Sequence, residues 1–596
     1  MSDFLRSSAR YSYPLCSTKK TNMLKHKDNF QKRTDLNKYG DNALLLYSLQ
    51  LKYGIEDIQS IAADSLVDGY NDKKTDLVYI NEELGHAIIA QGYFTKKNKT
   101  EAPANKASDL NTAITWLLQE DIEKVPKQIQ STAKELRSKI ASKSINKISL
   151  WYSHNLPEST NVERELKAVE KTLKAALDKN FVGNEIKCSS LEVGENQLED
   201  WYKELTIPIL VSDKIKIENC TAFKTSGTDW KAITSVIPAT TIYELYKTYK
   251  THLFSANVRD YLGSRKTDSN INNGIKTTAE NEPKNFFVYN NGITALVNGF
   301  SYSPTKKELK IDGISIVNGA QTTGAIGSLN KRPNKNLLIP IKFIKCSSPT
   351  TIASIVKYNN SQNKINAPDF RSGDQHQKRI TQEFSDLGRI DYSSRRGGAV
   401  DVITRNNNAI PSITAGQVLA AFHVKPSIAY NDKSKIWDRD DLYHQFFNES
   451  TTAKHIFIAY TLVKTIEELK QELVAKGDSR TSEEENILDF LRSRGSIILL
   501  ASSIADSLEI IIDKKITNRF DVEFKKNLKL HEAMFEWRKI VDIGSAFIPQ
   551  LAEGLQDGIK NKVKVQGAIN TFKSLISAVK TANKKVFDDF SKKIKC

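Results

Sequence analysis

The chain has 596 residues, 39% of them hydrophobic and 9% aromatic, with a formal net charge of +17. That length exceeds one ordinary core and predicts about two to four domains; no apolar run is long enough to span a bilayer, and Met1-Ser-Asp-Phe-Leu-Arg6 lacks the apolar centre of a secretory signal. Five scattered cysteines (Cys16, Cys188, Cys220, Cys346, Cys596) without a Cys-x-x-Cys pair argue against a disulfide scaffold or zinc ribbon and make a reducing cytoplasm the expected compartment.

The excess of Lys and Arg points to a polyanionic partner, with DNA expected ahead of RNA and no membrane. A Lys-rich solvated surface is the plain alternative, and charge alone does not decide between them. Residues 1–36 are polar and basic and read as an arm. From 37 to 205 the pattern becomes that of a folded α/β unit. Leu44, Leu45, Leu46, Leu49 and Leu51 predict a buried helix ending near Gly54, followed by a short helix over Ile55 to Leu66. Asp68-Gly-Tyr-Asn-Asp-Lys-Lys74 reads as a turn, and two strands follow, Thr75 to Ile80 and His86 to Phe94. The segments Lys147 to His154, Asn161 to Leu177, Ile186 to Val193 and Asn196 to Leu205 alternate strand and helix, which predicts parallel strands extending the same sheet.

A helix followed by a hairpin with Asp76 opening one strand and Gln91 late in the next resembles the layout of restriction-endonuclease-like nucleases. The resemblance implies that Asp76 and Gln91 hold Mg2+ or Mn2+, with a further carboxylate from Asp68, Asp72 or Glu56; Asp68 is preferred because a turn next to Asp76 presents both acids together. That family's pattern continues with a lysine two residues on, where this chain reads Gln91-Gly-Tyr93. Lys106, in the first turn of the next predicted helix, is the candidate for a migrated catalytic lysine, with Lys96 and Lys97 as competitors. A nuclease fold kept only as a scaffold or binding platform is the alternative.

Between 206 and 410 lie polar signatures set among apolar strand-like runs. They are Asn257-Val-Arg259-Asp-Tyr-Leu262-Gly263, Phe286-Phe-Val-Tyr-Asn290-Asn291-Gly292-Ile293-Thr294, Ile314-Ser-Ile-Val-Asn318-Gly319-Ala-Gln321-Thr322-Thr323, Asn359-Asn360-Ser361-Gln362-Asn363-Lys-Ile365 and Asp369-Phe-Arg371. Asn-Gly tolerates positive φ, so 291–292 and 318–319 predict sharp turns at strand ends. An apolar strand ending at Asn318 and followed by a small-residue helix sets Gln321 and Thr322 near a helix N-terminus, where free N–H groups attract anions. These amides serve either a ligand site or structural turns.

The ordered set Asn-x-Arg-x-x-Leu-Gly, Asn-Asn-Gly-Ile-Thr, Ile-Val-Asn-Gly-x-Gln-Thr and Asn-Ser-Gln-Asn-x-Ile resembles the AIPR family, named for abortive phage infection. Part of the same stretch is similar to ParB-like DGQHR domains, with Asn318-Gly-Ala-Gln-Thr322 where those carry Asp-Gly-Gln-His-Arg. Asp391-Tyr-Ser-Ser-Arg395-Arg396-Gly-Gly398 resembles the family's aromatic-Arg-Arg-Gly segment, and its arginines suit phosphate binding. The nucleic-acid or ligand candidates are therefore Arg259, Asn290, Asn291, Asn318, Gln321, Thr322, Asn359, Gln362, Asn363, Arg395 and Arg396. From 411 to 596 the chain is expected to be mostly helical, with Leu462 to Glu472, Ser482 to Ile504, Phe524 to Val541 and Gln566 to Val586 showing helical spacing. This region braces the core, forms a homodimer surface or binds nucleic acid.

The expected architecture is thus multidomain, α/β and α+β: a restriction-endonuclease-like domain, a mixed α/β core and a helical C-terminal region. The resemblance implies an anti-phage effector acting as a Mg2+-dependent nuclease. Two other readings stay open: a non-catalytic nucleic-acid-binding or sensing protein, and a nucleotide-binding switch centred on the ParB-like core.

Overall fold

The computed structural model describes residues 25–67, 71–97, 99–206, 209, 211–257, 266–360, 371, 374–394 and 409–596. It is multidomain and mixed α/β with a helical C-terminal region, as expected. The first unit is built around helix α2 (Ala43–Tyr53), which follows α1 (Lys25–Lys32) and has nine of its eleven residues buried. Such all-round burial suits its unbroken Leu-rich sequence, each buried leucine contributing about 1.5–3 kcal/mol. Gly54 ends the helix in the left-handed region (φ 59°), donating its N–H to the Gln50 carbonyl. Helix α3 (Ile58–Ser65) starts on Asp57, whose carboxylate accepts from the Ser60 amide at 3.0 Å.

Strands β1 (Leu77–Asn81) and β2 (His86–Tyr93) form the expected hairpin. Helices α4 (Ala104–Ser108), α5 (Leu110–Ile114) and α6 (Lys127–Ala141) lead to β3 (Lys147–His154); α7 (Thr160–Asn180) leads to β4 (Lys187–Val193), and α8 (Glu195–Thr206) closes the unit. The sheet order is β1-β2-β3-β4, with β2, β3 and β4 parallel. Each face covers its own core. Leu77, Tyr79, Ile88 and Ala90 pack with α2 and Trp201, whereas Val78, Ala87, Ile89 and Tyr152 pack with residues of α5, α6 and α7. Period-two alternation thus assigns every side chain of β2 to a face.

The middle unit holds a seven-stranded sheet. Its strands are β5 (Val211–Ile217), β6 (Ala222–Ser226), β7 (Trp230–Pro238), β8 (Ile293–Leu296), β9 (Gly299–Ser303), β10 (Glu308–Asn318) and β11 (Leu338–Cys346), in the order β5-β10-β8-β11-β7-β6 with β9 also on β10. Helix α9 (Ala239–Tyr249) follows β7, and α10 (Phe286–Tyr289) is a single helical turn where the sequence suggests a strand-like run. Helix α11 (Ala320–Gly327) follows β10, and α12 (Pro349–Asn360) follows β11, laying Ile352, Ile355 and Val356 on Ala232, Leu296, Val317 and Ile344.

The last unit shares one large helical core running from Ile380 to Ile594. Its main helices are α13 (Gln375–Leu387), α14 (Ser412–Phe422), α15 (Ala453–Ala475), α16 (Ser482–Arg492), α17 (Ser496–Asp506), α18 (Leu530–Ser545) and α19 (Lys562–Ala578). The single helix expected over Ser482 to Ile504 breaks at Gly495, whose φ of 81° suits glycine and no continuing helix. Phe524 leaves the expected helix for β12 (Glu523–Phe524), which pairs with β13 (Ile594–Lys595).

Buried charges fasten this last unit to the first. Lys464 Nζ donates to both Asp57 oxygens (3.0 and 3.1 Å), to Ser60 Oγ (3.0 Å) and to Glu467 (2.8 Å). Arg494 reaches Asp64 (3.2 Å) and Glu135 (3.5 Å), and Tyr430 donates to Glu135 at 2.9 Å.

Candidate functional site

At the start of β1 the ladder slips. In register Leu77 faces Ala90, yet the Asp76 amide also donates to the Ala90 carbonyl, at 3.1 Å. Two residues of one strand opposing one of the other is a β-bulge, and it turns Asp76 to the same side as Leu77. The Asp76 carboxylate then accepts the Gly92 N–H at 2.6 Å. A Cβ built on Gly92 would stand 3.7 Å from Asp76 Oδ2, 3.8 Å from Leu45 Cβ and 3.9 Å from Asn42 Oδ1. These are ordinary contact distances, so the Asp76 and Asn42 oxygens and Leu45 converge on the side-chain-free face of Gly92. Asp76, Asn42 and Gly92 are all half-exposed, so the cradle opens to solvent.

Gln91 lies on the opposite face. It alternates with Ile89 and Tyr93, which pack on the α5–α7 side, and it pairs with Tyr152 of β3. The structure therefore does not bring Asp76 and Gln91 onto one face, because the bulge moves Asp76 out of step. Gln91 is only 4% exposed, and neither its Oε1 nor the Thr75 Oγ1 has a hydrogen-bond partner among the described residues. Each such orphaned oxygen costs about 1–3 kcal/mol.

Lys106 is half-exposed on α4, a helix whose Ala104 and Ala107 pack on the Gln91 side of the sheet. Its charge acts on Asp72, whose carboxyl burial pushes up while Lys74 and Lys106 pull it down. Lys96 and Lys97 are exposed beyond β2. Asp68 lies outside the described residues. His154 is a structural residue: it is fully buried, with Nε2 3.0 Å from Glu192 and Nδ1 3.1 Å from the Leu156 carbonyl.

Mg2+ characteristically takes one or two carboxylates, keeps waters and shares substrate phosphates; at Gly92 there is one carboxylate, which accepts the Gly92 N–H, and one amide oxygen. Among the described residues no three His, Cys, Asp or Glu side chains converge as a metal site. Asn42 escaped the sequence reading because it reads as punctuation before α2; only the packing of α2 across β2 brings it to Asp76.

The middle unit assembles its Asn-Gly turns. Thr294 at the start of β8 pairs with Asn318 at the end of β10, and Ile293 runs parallel beside Ile341 of β11. Asn290 and Thr322 hydrogen-bond reciprocally (3.1 and 3.2 Å), and Asn290 Oδ1 also takes the Gly292 amide at 2.9 Å. Gly319 (φ 92°) lies so close beneath that a Cβ there would stand 2.7 Å from the Gly292 carbonyl. Asn318 Oδ1 accepts the Gly319 amide at 2.7 Å, so no side chain caps α11. Asn291 is exposed and Gln321 half-exposed at this end.

Helix α12 follows β11 and packs back over the sheet through Ile352, Ile355 and Val356, with Asn359 in its last turn. Asn359 Nδ2 is engaged by the Ile355 carbonyl at 2.8 Å. Arg259, Gln362, Asn363, Arg395 and Arg396 lie outside the described residues. Arg371 belongs to the helical unit: its guanidinium donates to the Trp437 carbonyl and to Asp440 (both 2.7 Å) and stacks 4.1 Å from the Tyr443 ring centre.

No described helix is long and apolar enough to cross a membrane. Among known proteins, the model of the family described as AIPR protein matches residues 254–580, more than half of the chain. No curated protein and no solved structure matches it.

Proposed function

The chain belongs to the AIPR family, and on that premise we propose that it is a phage-defence protein that cleaves nucleic acid with a divalent cation held at Asp76. The observation that carries this reading is the convergence at Gly92, where the Asp76 carboxylate and the Asn42 amide oxygen both approach the side of the strand on which that residue carries no side chain. Asp76 supplies the negative charge, and its hold on the Gly92 N–H fixes the carboxylate's direction. Asn42 adds a neutral oxygen from the start of α2. A bound Mg2+ or Mn2+ would polarise the phosphoryl oxygen and lower the pKa of an attacking water. DNA is the preferred substrate on the chain's basic charge, and the cytoplasm the expected place of action.

The test is cleavage of labelled DNA and RNA by the purified full chain with Mg2+ or Mn2+. Asp76→Ala and Asn42→Ala are expected to lose cleavage at least a hundredfold. Gln91→Leu, on the other face, is expected to keep it and to remove an orphaned oxygen. Equal loss in Gln91→Leu and Asp76→Ala would restore a joint site of those two residues and reject the cradle.

A second reading has its own support: the cradle holds a single carboxylate, and that carboxylate already accepts the Gly92 amide. A platform that binds nucleic acid without cutting it would retain this arrangement. Tight binding with no metal-dependent cleavage by the wild type would select that reading.

A further inference from the structure

Arg494 stands at the break between α16 and α17, where Ser493 is extended and Gly495 has a φ of 81°. The break turns the residue into the first unit, and its amide donates to Ser131 Oγ of α6 at 2.9 Å. The side chain is only 5% exposed and its fork is divided. Nη1 donates to Asp64 at 3.2 Å and Nη2 to the Val78 carbonyl at 2.5 Å, while Nε lies 3.5 Å from Glu135. Two of these partners are carboxylates; the third is the backbone of β1.

The backbone contact matters because β1 is an edge strand, with β2 on one side only. Along its other side, Leu66 bridges Leu77 and the Val67 N–H donates to the Asp76 carbonyl at 2.9 Å. The Val78 carbonyl is the next one facing that way, and Arg494 takes it. A bulge disrupts the ladder locally, so the bonds on either side of it carry the register. At Asp76 those bonds are the ones from Val67 and to Ala90, and just beyond it the one from Arg494. A hydrogen bond from a guanidinium is about twice as strong as a neutral one, which makes the Arg494 contact the firmest of the three. Lys470 of α15 braces the same corner by donating to the Ala63 carbonyl in the last turn of α3. Cations suit a helix C-terminus, where carbonyls lack partners.

We propose that Arg494 is a positioning residue for the Asp76 end of the first unit. By holding the Val78 carbonyl it keeps the bulge at Asp76 and the direction of that carboxylate, so the helical unit governs whether the Asp76 end is formed. Why that direction matters rests on the proposed function; the geometry itself does not. The Gly92 N–H, accepted by the Asp76 carboxylate at 2.6 Å, reports it directly.

The experiment is hydrogen exchange on the full chain, followed over residues 72–81 and 86–94, with Asp76→Ala as the reference for a Gly92 amide that has lost this acceptor. Arg494→Met is expected to raise exchange over both stretches about ten- to a hundredfold, the loss of one hydrogen bond to a charged group. That variant also leaves Asp64 and Glu135 without their cation. The deciding comparison is therefore Arg494→Met combined with Asp64→Asn and Glu135→Gln, which removes the charges and should restore the melting temperature. A residue that only balanced charge would be rescued at every amide in this triple variant. A positioning residue leaves β1 and Gly92 exchanging fast, because the Val78 carbonyl still lacks its donor. Arg494→Lys, with one ammonium in place of the fork, should fall between wild type and Arg494→Met. Wild-type exchange over 72–81 and 86–94 in the triple variant overturns the proposal, and so does unchanged Gly92 exchange in Arg494→Met. A wild type that does not cleave nucleic acid would reject the proposed function and leave each of these readings as it stands.

Discussion

Replacing Lys464 by Met would leave Asp57 and Glu467 facing each other with no cation between them. Lys464 has a side chain only 5% exposed, and its ammonium makes four hydrogen bonds of 2.8–3.1 Å that join α15 to the start of α3. Burial would lower the Lys464 pKa, but Asp57 and Glu467 outweigh it and hold the value well above the ordinary range. Burial would raise Asp57, but Lys464 and the Ser60 hydrogen bonds pull it below its ordinary value. Removing one member of a buried ion cluster costs about 3–5 kcal/mol, because the remaining charges stay desolvated and unpaired. Unfolding of so large a protein is not one two-state event, so the loss is best read locally. Hydrogen exchange over residues 57–66 should report opening on the order of 10²–10⁴ times more frequent. The triple variant Lys464→Met, Asp57→Asn, Glu467→Gln removes every charge and should recover most of the protection. If the triple variant is as unprotected as the single one, orphaned charge is not the cause and the reasoning is wrong. The same signs give a pH window. Asp57 contributes above about pH 4 and loses its contribution as the pH falls through its depressed value, while Lys464 contributes fully below about pH 10 and loses its contribution only as the pH rises through its raised value.

His455 sets an acid limit of its own: it is fully buried, its ring N–H donates to the Val522 carbonyl at 2.9 Å, and Nε2 lies 2.9 Å from His423. Burial lowers its pKa to about 4, so its neutral form stabilises the helical unit above about pH 6.5, and about 3 kcal/mol is lost as the pH falls towards 4. Calorimetry of wild type and His455→Gln across that range should show a shallower decline in the variant; parallel declines would contradict the assignment. Gly319→Ala should cost about 2–4 kcal/mol, since φ 92° strains an L-residue and the methyl meets the Gly292 backbone oxygen at 2.7 Å. A melting temperature within error of wild type would show that this turn yields.

Much of the fold was legible because the chain states its periods openly. The leucines of α2, the helix–strand alternation from Lys147 to Leu205, and the Asn-Gly turns at 291–292 and 318–319 each follow from local rules that tertiary packing did not override. The candidate site was less legible. A bulge at Asp76 has no signature in Thr-Asp-Leu-Val, yet one residue of slip moves a side chain to the other face of a sheet. That slip separates Asp76 from Gln91 and pairs it in space with Asn42. The breaks at Gly495 and Phe524 escaped because helical spacing carries through them. The exposed rings of α10 were masked in the sequence because an apolar run reads as buried wherever it falls.

The charges that fasten α3 and α6 to the helical unit also govern the order in which the protein can be completed. Asp57, Asp64 and Glu135 leave the ribosome long before Lys464 and Arg494 do. At ordinary rates of synthesis the interval between Asp64 and Arg494 is roughly twenty to ninety seconds. Throughout it, the first unit carries uncompensated acids on a surface that will later be buried. A chain that stops before Arg494 therefore presents a first unit whose Asp57, Asp64 and Glu135 lack the cations that later meet them. Synthesis of the helical unit is thus built into the maturation of the first.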